Sequence, residues 1–525
     1  MMKVRLVDLT LFHRPSGHRH RLPLATFPGY QSGPADDPPN ITWLPLVTAG
    51  ADASVSIGSL GAADGQAELR IGDLVLRNEA TRNPAQRFPT LQDLDTGAWL
   101  RVALDDRPLN LLLTGDYVIQ SVTEREIEDG APLAEAVTIW TARVGQPKPK
   151  RTEIALPIYD QRLDYDTPIQ VDRYKGTGGY EGPAELKDTL KELPLGHCPM
   201  AQPTYLGIID GFHRWSVGGG KPVQDVPRGW SSGVGVAKQS GTTPADNAHF
   251  TVDLASGIIT TTVKYADFRV EVLGRKFAGV YRRYIGELIA ALATGAGLAS
   301  TVDSAGMDAV PRTVGLFLAA GDGTTHAAAY AKFVGSVPRG GWYVGTAGQL
   351  VVTRVPRPTV AAAVRAYSSA AGTTTGLQYV EGQHNPPAKQ VVLRCAHNPS
   401  PYSSAATDAT AADATRWTQE WIEVPSAVDD EIAAAWGSTA KVATIETALT
   451  FSTDAAAELP AWVAELSAPP TLYELPALDG APGVWIGDTV TVEDDIAGFA
   501  DGAPVVVYGR TIADRAGGAT LYVAR

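Results

Sequence analysis

The sequence predicts a mainly β, multi-domain protein with one small α/β unit and a small antiparallel barrel pattern at each end. Three observations carry this. Short alternating or β-branched runs recur along most of the chain, separated by turn clusters. Its 53 glycines and 37 prolines supply many turns. Helical periodicity is confined to the centre and a few later stretches. A chain of 525 residues also exceeds what one core organises, so several domains are expected.

Residues 1–170 read as the first barrel domain. VRLVDLTLF, ADASVSIGSL, QAELRIGDLVLRN, WLRVALDD, LNLLLTGDYVIQSVTE and EAVTIWTARVG are its strands. GAADG, NEATRNPAQ and EDGAP are turns. RTEIALPIYDQRLDYDTP then leads to the glycine loop KGTGGYEG, Lys175 to Gly182, as proline and glycine thicken into a boundary. Residues 171–278 form an inserted, mainly β domain. ELKDTLKELPLG reads as a short polar stretch, followed by strands in TYLGIIDG, HFTVDLASGIITTTVK and FRVEVLG. Ala255 to Gly257 marks a hairpin.

Residues 279–360 change period and read as helix, strand, helix, hairpin. RRYIGELIAALATGAGL places Ile285, Leu288, Ile289 and Leu292 on one helical face, with Gly295 as the cap. TVGLFLAAG reads as a buried strand. Thr325 caps the helix HAAAYAKFVGSV, and GGWYVGTAGQLVVTRV is a hairpin. Residues 361–525 form the second barrel domain. PYSSAATDATAADATRW reads as a long exposed loop. EWIEVP follows, then a helix at DDEIAAAWG, a strand in KVATIETALTF and a helix at DAAAELPAWVAELSA. TLYELPAL, VWIGDTVTVED, APVVVYGRTIAD and GATLYVAR complete the domain as strands.

The formal charge of −13 argues against a duplex-gripping protein, whose affinity rests on Lys and Arg neutralising phosphate. Two cysteines cannot make a disulfide framework. The start, MMKVRLVDLTLFHRPSGHRH, lacks the apolar core of a signal peptide, and no apolar run is long enough to span a bilayer. Synthesis as a soluble cytoplasmic protein is expected.

Four motifs invite a chemical reading. KGTGGYEG could cradle a phosphate, but Lys175 precedes the glycines and Glu181 stands where a dinucleotide loop needs its third glycine. A bend is expected. GWSSG, Gly229 to Gly233, matches the nucleophile elbow around Ser231, yet proline precedes it and no helical pattern follows, so a turn is expected. His197 and Cys198, with Cys395 and His397, could supply four soft metal ligands if they met; buried thiols packing as small hydrophobes is the expectation. HRPSGHRH, with His13, His18 and His20, reads as a solvated hairpin tip rather than a metal or anion site. The pairs Asp36–Asp37, Asp105–Asp106, Asp429–Asp430 and Asp494–Asp495 sit in turns or at helix starts. The 11 tryptophans are scattered singly, at Trp43, Trp99, Trp140 and onward, which fits core use. No catalytic residue, cofactor site or metal site is expected.

In order, GPADDPPN with DLVLRN and LRVALDD, then RYKGTGGYEGPAELKDTLKELPLG, then NAHFTVDLASGIITTTVKYADFRVEVLG, resemble successive segments of bacteriophage tail hub proteins. YIGELIAALATGAGLAS through VGLFLAAG and GGWYVGTAGQLVVTRV is similar to the small α/β domain of the contractile-phage baseplate hub. IGDTVTVED, PVVVYGRTIAD and ATLYVAR resemble the last strands of its second barrel. The resemblance spans most of the chain, with a gap near 400–415 and a departure at ELPLGHCPM.

It implies two tube-like barrels and a structural, non-enzymatic role at the virion tail tip. A homotrimer would form a pseudo-sixfold ring joining the hexameric tail tube, or a distal tail protein, to tip, spike or fibre proteins below. A tape measure protein could occupy the lumen, and DNA would pass transiently and without sequence preference during ejection. The glycine loop would be the bend leaving the first barrel, with Lys175 and Glu181 facing solvent or a neighbouring chain. A tail-associated cell-wall hydrolase and a host-surface carbohydrate-binding tail protein are the alternatives.

Overall fold

The first hairpin sets the N-terminal sheet. Lys3–His13 and His18–Thr26 pair antiparallel from Leu6↔Ala25 to His13↔His18, and Gly17 turns the chain at φ 75°. Tyr117–Glu128 pairs along the whole length of Lys3–His13, and Val137–Val144 adds beyond it. On the other flank Thr42–Ala49 joins His18–Thr26 in parallel, and Leu74–Arg77 and Glu153–Leu156 extend the sheet. Val7, Leu9, Leu11, Leu22, Leu24, Leu74 and Leu76 pack into one core, while Val4, Leu6, Ala25 and Trp43 pack into another. Both faces of the first strand are therefore covered, which is why VRLVDLTLF carries apolar residues on both: Val4 and Leu6 on one, Val7, Leu9 and Leu11 on the other.

The computed structural model describes residues 3–49, 53–57, 67–79, 90–101, 107–159, 161–298, 302–345, 349–380, 386–481, 483–496, 498–512 and 518–525. GAADG, the NEATRNPAQ turn beyond Glu79 and the Asp105–Asp106 pair lie outside them. The two ends of the N-terminal strand path, Lys148–Pro149 and Ile158–Tyr159, meet in one hairpin among the described residues: Arg143 and Val144 pair with Tyr159 and Ile158, and Lys148 and Pro149 with Ala155 and Ile154. The mainly β, multi-domain architecture is as expected.

The middle sheet corrects the reading of ELKDTLKELPLG as merely polar. Leu193–Ala201 is a strand buried along its entire length. Its prolines and glycine hid it from propensity arguments, yet the glycine is required. Gly196 faces Gly315 in register, and a Cβ at 196 would stand 2.0 Å from the Val314 carbonyl oxygen. A Cβ at 315 would stand 1.9 Å from that of His197. The hairpin at Ala255–Gly257 forms as predicted, between His249–Asp253 and Ile258–Thr261.

The strand Gly315–Leu318, read from TVGLFLAAG, leaves its own segment and becomes the edge of this middle sheet beside Leu193–Ala201. Only Leu318 of the strand is buried. The expected hairpin Gly340–Val344 and Leu350–Arg354 instead pairs with the short strand Val302–Asp303. The helices Ile285–Ala296 and His326–Val334 pack against it through Leu288, Ile289, Leu292, Tyr330, Phe333 and Trp342. Thr325 caps the second helix, its side chain accepting from the Ala328 N–H at 3.3 Å. The first helix ends two residues later than predicted, on Gly297 in the left-handed region at φ 66° rather than on Gly295.

The C-terminal sheet runs in the order Ala363–Ser368, Thr489–Glu493, Ala503–Ile512, Ala519–Ala524, Leu472–Ala477, Gln378–Tyr379. It is joined by a hairpin from the other end of the chain. Ala53–Ile57 pairs antiparallel with Ala503–Ile512, matching Ser56 to Gly509, Val55 to Arg510 and Ser54 to Thr511. Ala67–Ile71 backs that strand. A separate small sheet holds Ile422–Pro425, Ala388–Cys395 and Lys441–Glu446.

The stretch PYSSAATDATAADATRW is not a loop throughout. Ala411–Thr418 is a helix, with Thr410 accepting from the Asp413 N–H at 3.2 Å. Trp417 is buried against Met200 and Trp230, and the Trp230 indole donates to Asp413 at 2.9 Å. One apolar anchor and one cap outweigh a composition that reads as solvated.

The helix Ser452–Leu466 fastens the C-terminal region to the centre. Ala455 and Trp462 enter the same core as Val391, Leu393, Leu288 and Phe333. Glu458, 2% exposed, accepts from Arg312 and Arg354, each at 2.9 Å. About two turns further along the same face, Glu465 accepts from Arg339 at 3.5 Å and Arg357 at 3.2 Å. Glu458→Ala strands two guanidinium groups against a dry interface and should cost about 3 kcal/mol. Arg357, with 58% of its side chain exposed, should lose less than about 1 kcal/mol on Arg357→Ala. Urea unfolding of the two variants checks the contrast.

His326 gives a pH dependence. Its ring is buried, with Nδ1 3.2 Å from the Tyr330 hydroxyl, and burial pushes the imidazole down from 6.5 to about 4. The folded state holds the neutral ring, so this contribution is complete above pH 6.5 and is lost as pH falls towards about 4. Melting temperature should fall across that window, with a shallower slope in His326→Gln.

Candidate functional site

The glycine loop closes on itself. Gly176, Gly178, Gly179 and Gly182 all have φ between 62° and 85°, the left-handed region that glycine enters freely. Glu181 occupies the place an anion would need. It accepts from the Lys175 backbone N–H at 3.2 Å and from the Lys191 ammonium at 3.1 Å. The bend reading holds at the level of local geometry. Lys175 faces solvent as expected, whereas Glu181 turns back onto Lys191.

Ser231 is the last residue of the strand Val223–Ser231, paired with Val234 and Phe268. Ser232 at φ 52° and Gly233 at φ 86° turn the chain into Val234–Lys238. A strand, not a helix, follows the serine, so the elbow geometry is missing and the turn reading holds.

The histidine–cysteine pairs split apart. The His197 ring hydrogen-bonds Glu271 at 2.7 Å and meets Phe451 edge-on at 5.0 Å. Cys198 donates to the Leu195 carbonyl at 3.2 Å, and burial pushes its thiol up to about 12. Cys395 donates to the Ile422 carbonyl at 3.5 Å, and burial pushes it up to about 11. His397 stacks on Trp421 at 4.2 Å. Both thiols are buried and free, as expected. Among the described residues, groups of three potential ligands gather only at His18, Asp93 and Asp95, so these four residues do not assemble a site.

Cys198 and His397 nonetheless line one cavity of about 660 Å³. It opens where the edge strand Gly315–Leu318, the end of the helix His326–Val334 and the segments after Cys395 and Lys441–Glu446 converge. Phe317 and Trp421 give it apolar walls, and Lys332 and Glu446 give it charge. Burial first, and then the Lys332 charge, hold the His397 imidazole below its ordinary value. A neutral imidazole and a protonated thiol make a cleft suited to binding, without an activated nucleophile. Its lining comes from segments remote in sequence, so no linear motif announces it.

The acidic pairs behave as predicted where they are described. Asp429 caps the helix Asp430–Trp436 by accepting from the Ile432 N–H at 2.9 Å. Asp36 accepts from the backbone of Gly33 and Leu133, and Asp494 from that of Leu377. HRPSGHRH forms the expected hairpin tip, but only in part as a solvated one. His13 and His18 are partly exposed, and His20 is buried. His18 Nδ1 lies 2.8 Å from Asp93 Oδ2, a bond that holds the Asp93 carboxyl below its usual range and raises His18.

No family model matches the sequence, and no curated protein matches it. Among solved structures the chain is similar to the 43 kDa tail protein of prophage MuSo2 from Shewanella oneidensis. Identity is 10% and the TM-score 0.40, over 99% of this chain and 98% of that one. It is similar to a chain of the native gene transfer agent virion, at 14% identity and TM-score 0.39, over 70% and 92%. A tail protein from Neisseria meningitidis MC58 aligns at 10% and 0.34, over 91% and 96%. Values this low fall short of establishing a shared fold.

The two thiols give a direct check on the packing around the cavity. Native protein at pH 8 should show almost no reaction with a disulfide reagent, and both cysteines should react in denaturant. Rapid labelling of Cys198 in native protein would mean that the cavity wall is open.

Proposed function

We propose that this chain is a structural protein of a bacteriophage tail, and more finely a hub of the tail tip or baseplate, with tube-like domains at 1–170 and 361–525. The ordered resemblance is one support. Its quoted segments fall on discrete elements: DLVLRN on Leu74–Arg77, YIGELIAALA on the helix Ile285–Ala296, and the final motifs on the last three strands. The single observation that carries the reading is the hairpin Ala53–Ile57 and Ala67–Ile71, through which the first region completes the sheet of the last. Two terminal sheets held side by side by backbone hydrogen bonds are what a ring of three chains and six sheets requires. Such a ring closes through repeated heterologous contacts. An acidic chain suits a lumen through which DNA slides without being retained.

Electron microscopy with solution mass measurement tests the reading. The expected particle contains three chains around a central passage whose wall is neutral or acidic. A protein that stays monomeric at high concentration, or a ring lined by basic side chains, would overturn it.

A further inference from the structure

The middle sheet ends on an edge that opens into the cavity. Gly315–Leu318 is the last strand of its path, paired on one side with Leu193–Ala201. On its other side the chain after Lys441–Glu446 approaches for one bridge. There Val314 stands opposite Leu449, and the Gly315 N–H donates to the Ala448 carbonyl at 2.9 Å. Among the described residues no strand continues that pairing past Gly315. The two segments part like the arms of a fork, and both arms line the cavity of about 660 Å³. Lys441–Glu446, which leads into the second arm, is itself the edge of its own sheet.

Backbone alternation says what the open arm offers. In an antiparallel strand the N–H and C=O of one residue point to one side, and those of the next residue to the other. Gly315 donates away from Leu193–Ala201, so Phe317 also turns its N–H and C=O away from that strand. Opposite Phe317 stands Pro194, which has no N–H to give. Leu316 and Phe317 pack against different cores, on opposite faces of the strand, yet both line the cavity. The cavity therefore runs along the edge of the strand rather than over one face. Its charge is uneven. Asp322, Glu420 and Glu446 bring carboxylates, against the single ammonium of Lys332, and all four side chains are exposed. Glu446 already accepts from Arg394 at 3.4 Å, and Asp322 from the Thr324 N–H at 3.0 Å. Glu420 lies 3.9 Å from the His397 ring, beyond hydrogen-bond reach.

We infer that this edge takes an extended peptide segment of a partner protein, one that alternates apolar and polar residues and carries a lysine or arginine. The segment adds to Gly315–Leu318 as a further strand and exchanges main-chain hydrogen bonds with Phe317. The stack of His397 on Trp421 gives one of its side chains a flat apolar wall. Its cation goes to Glu420, the carboxylate held least by its own chain. The cavity falls within the range of about 300–1,000 Å³ that encloses a small ligand, room for a few residues and not for a folded domain. An edge recessed in such a cleft admits one segment and keeps out a second sheet. This site is independent of the tail assignment.

The test uses the full chain, immobilised and panned against a displayed library of random linear peptides. Enriched sequences should alternate apolar and polar residues and carry a lysine or arginine. A synthetic copy of the most enriched peptide should slow hydrogen exchange at the Phe317 amide by about tenfold or more. Phe317→Pro removes that donor at an edge position where proline is tolerated, and should weaken the peptide by about tenfold or more. Glu420→Lys should weaken it by about tenfold. Glu420 is exposed, so this second variant remains a sound test if Phe317→Pro unfolds. Of two copies N-methylated on alternate residues in opposite phase, one should lose binding. No enrichment over a bare surface, a Phe317 amide left unprotected, or affinity unchanged in Glu420→Lys would overturn the inference. So would tight binding by both N-methylated copies, which would mean a side-chain pocket in place of a strand edge.

Discussion

Backbone hydrogen bonds between Ala53–Ile57 and Ala503–Ile512 join the beginning of the chain to its end. Everything between them has to fit within that closure. The largest core meets the constraint by drawing on distant stretches at once: Tyr165 from the boundary, Leu195 from the middle sheet, Leu288 and Phe333 from the central helices, Leu393 and Trp462 from the C-terminal region. Residues far apart in sequence thus share one apolar interior. The sheets divide the molecule more clearly than the cores do.

Buried charge fixes how these pieces align. Asp8 receives Arg21 at 2.6 Å, Arg125 at 2.8 Å and the Trp43 indole at 3.2 Å, which brings three neighbouring strands of the N-terminal sheet to one carboxylate. A one-residue slip of any strand would move its partner to the opposite face. Glu458 and Glu465 do the same for a helix, since only one rotation and one height present both to their arginine pairs. Arginine suits these positions because a planar fork can satisfy a carboxylate in a dry interface. Where charge is absent, glycine sets the alignment. The contact of Gly196 with Gly315 leaves no room for a methyl group on either strand.

Much of the local structure was legible in the sequence. The Ala255–Gly257 hairpin, the Thr325 cap and the apolar face at Ile285, Leu288, Ile289 and Leu292 follow from rules that act over a few residues. The failures share a cause. Leu193–Ala201 is a strand because neighbours cover it on every side, which overrides two prolines and a glycine. Ala411–Thr418 is a helix because Trp417 has a socket, formed by Met200 and Trp230, that no local pattern contains. The candidate sites divide likewise. The glycine loop and Ser231 could be judged from their flanks. The cavity and the burial of His20 depend on segments brought together by the fold.

The shared C-terminal sheet has a consequence for synthesis. A ribosome releases the hairpin at Ala53–Ile57 long before Ala503–Ile512, its hydrogen-bonding partner. Until that partner emerges the hairpin offers an unsatisfied strand edge. A nascent copy of this protein on the same messenger meets the edge before the matching strand of either chain is made. Vectorial production therefore exposes the chain to pairing between polysomal neighbours, a hazard that ends only when Ala503–Ile512 leaves the tunnel.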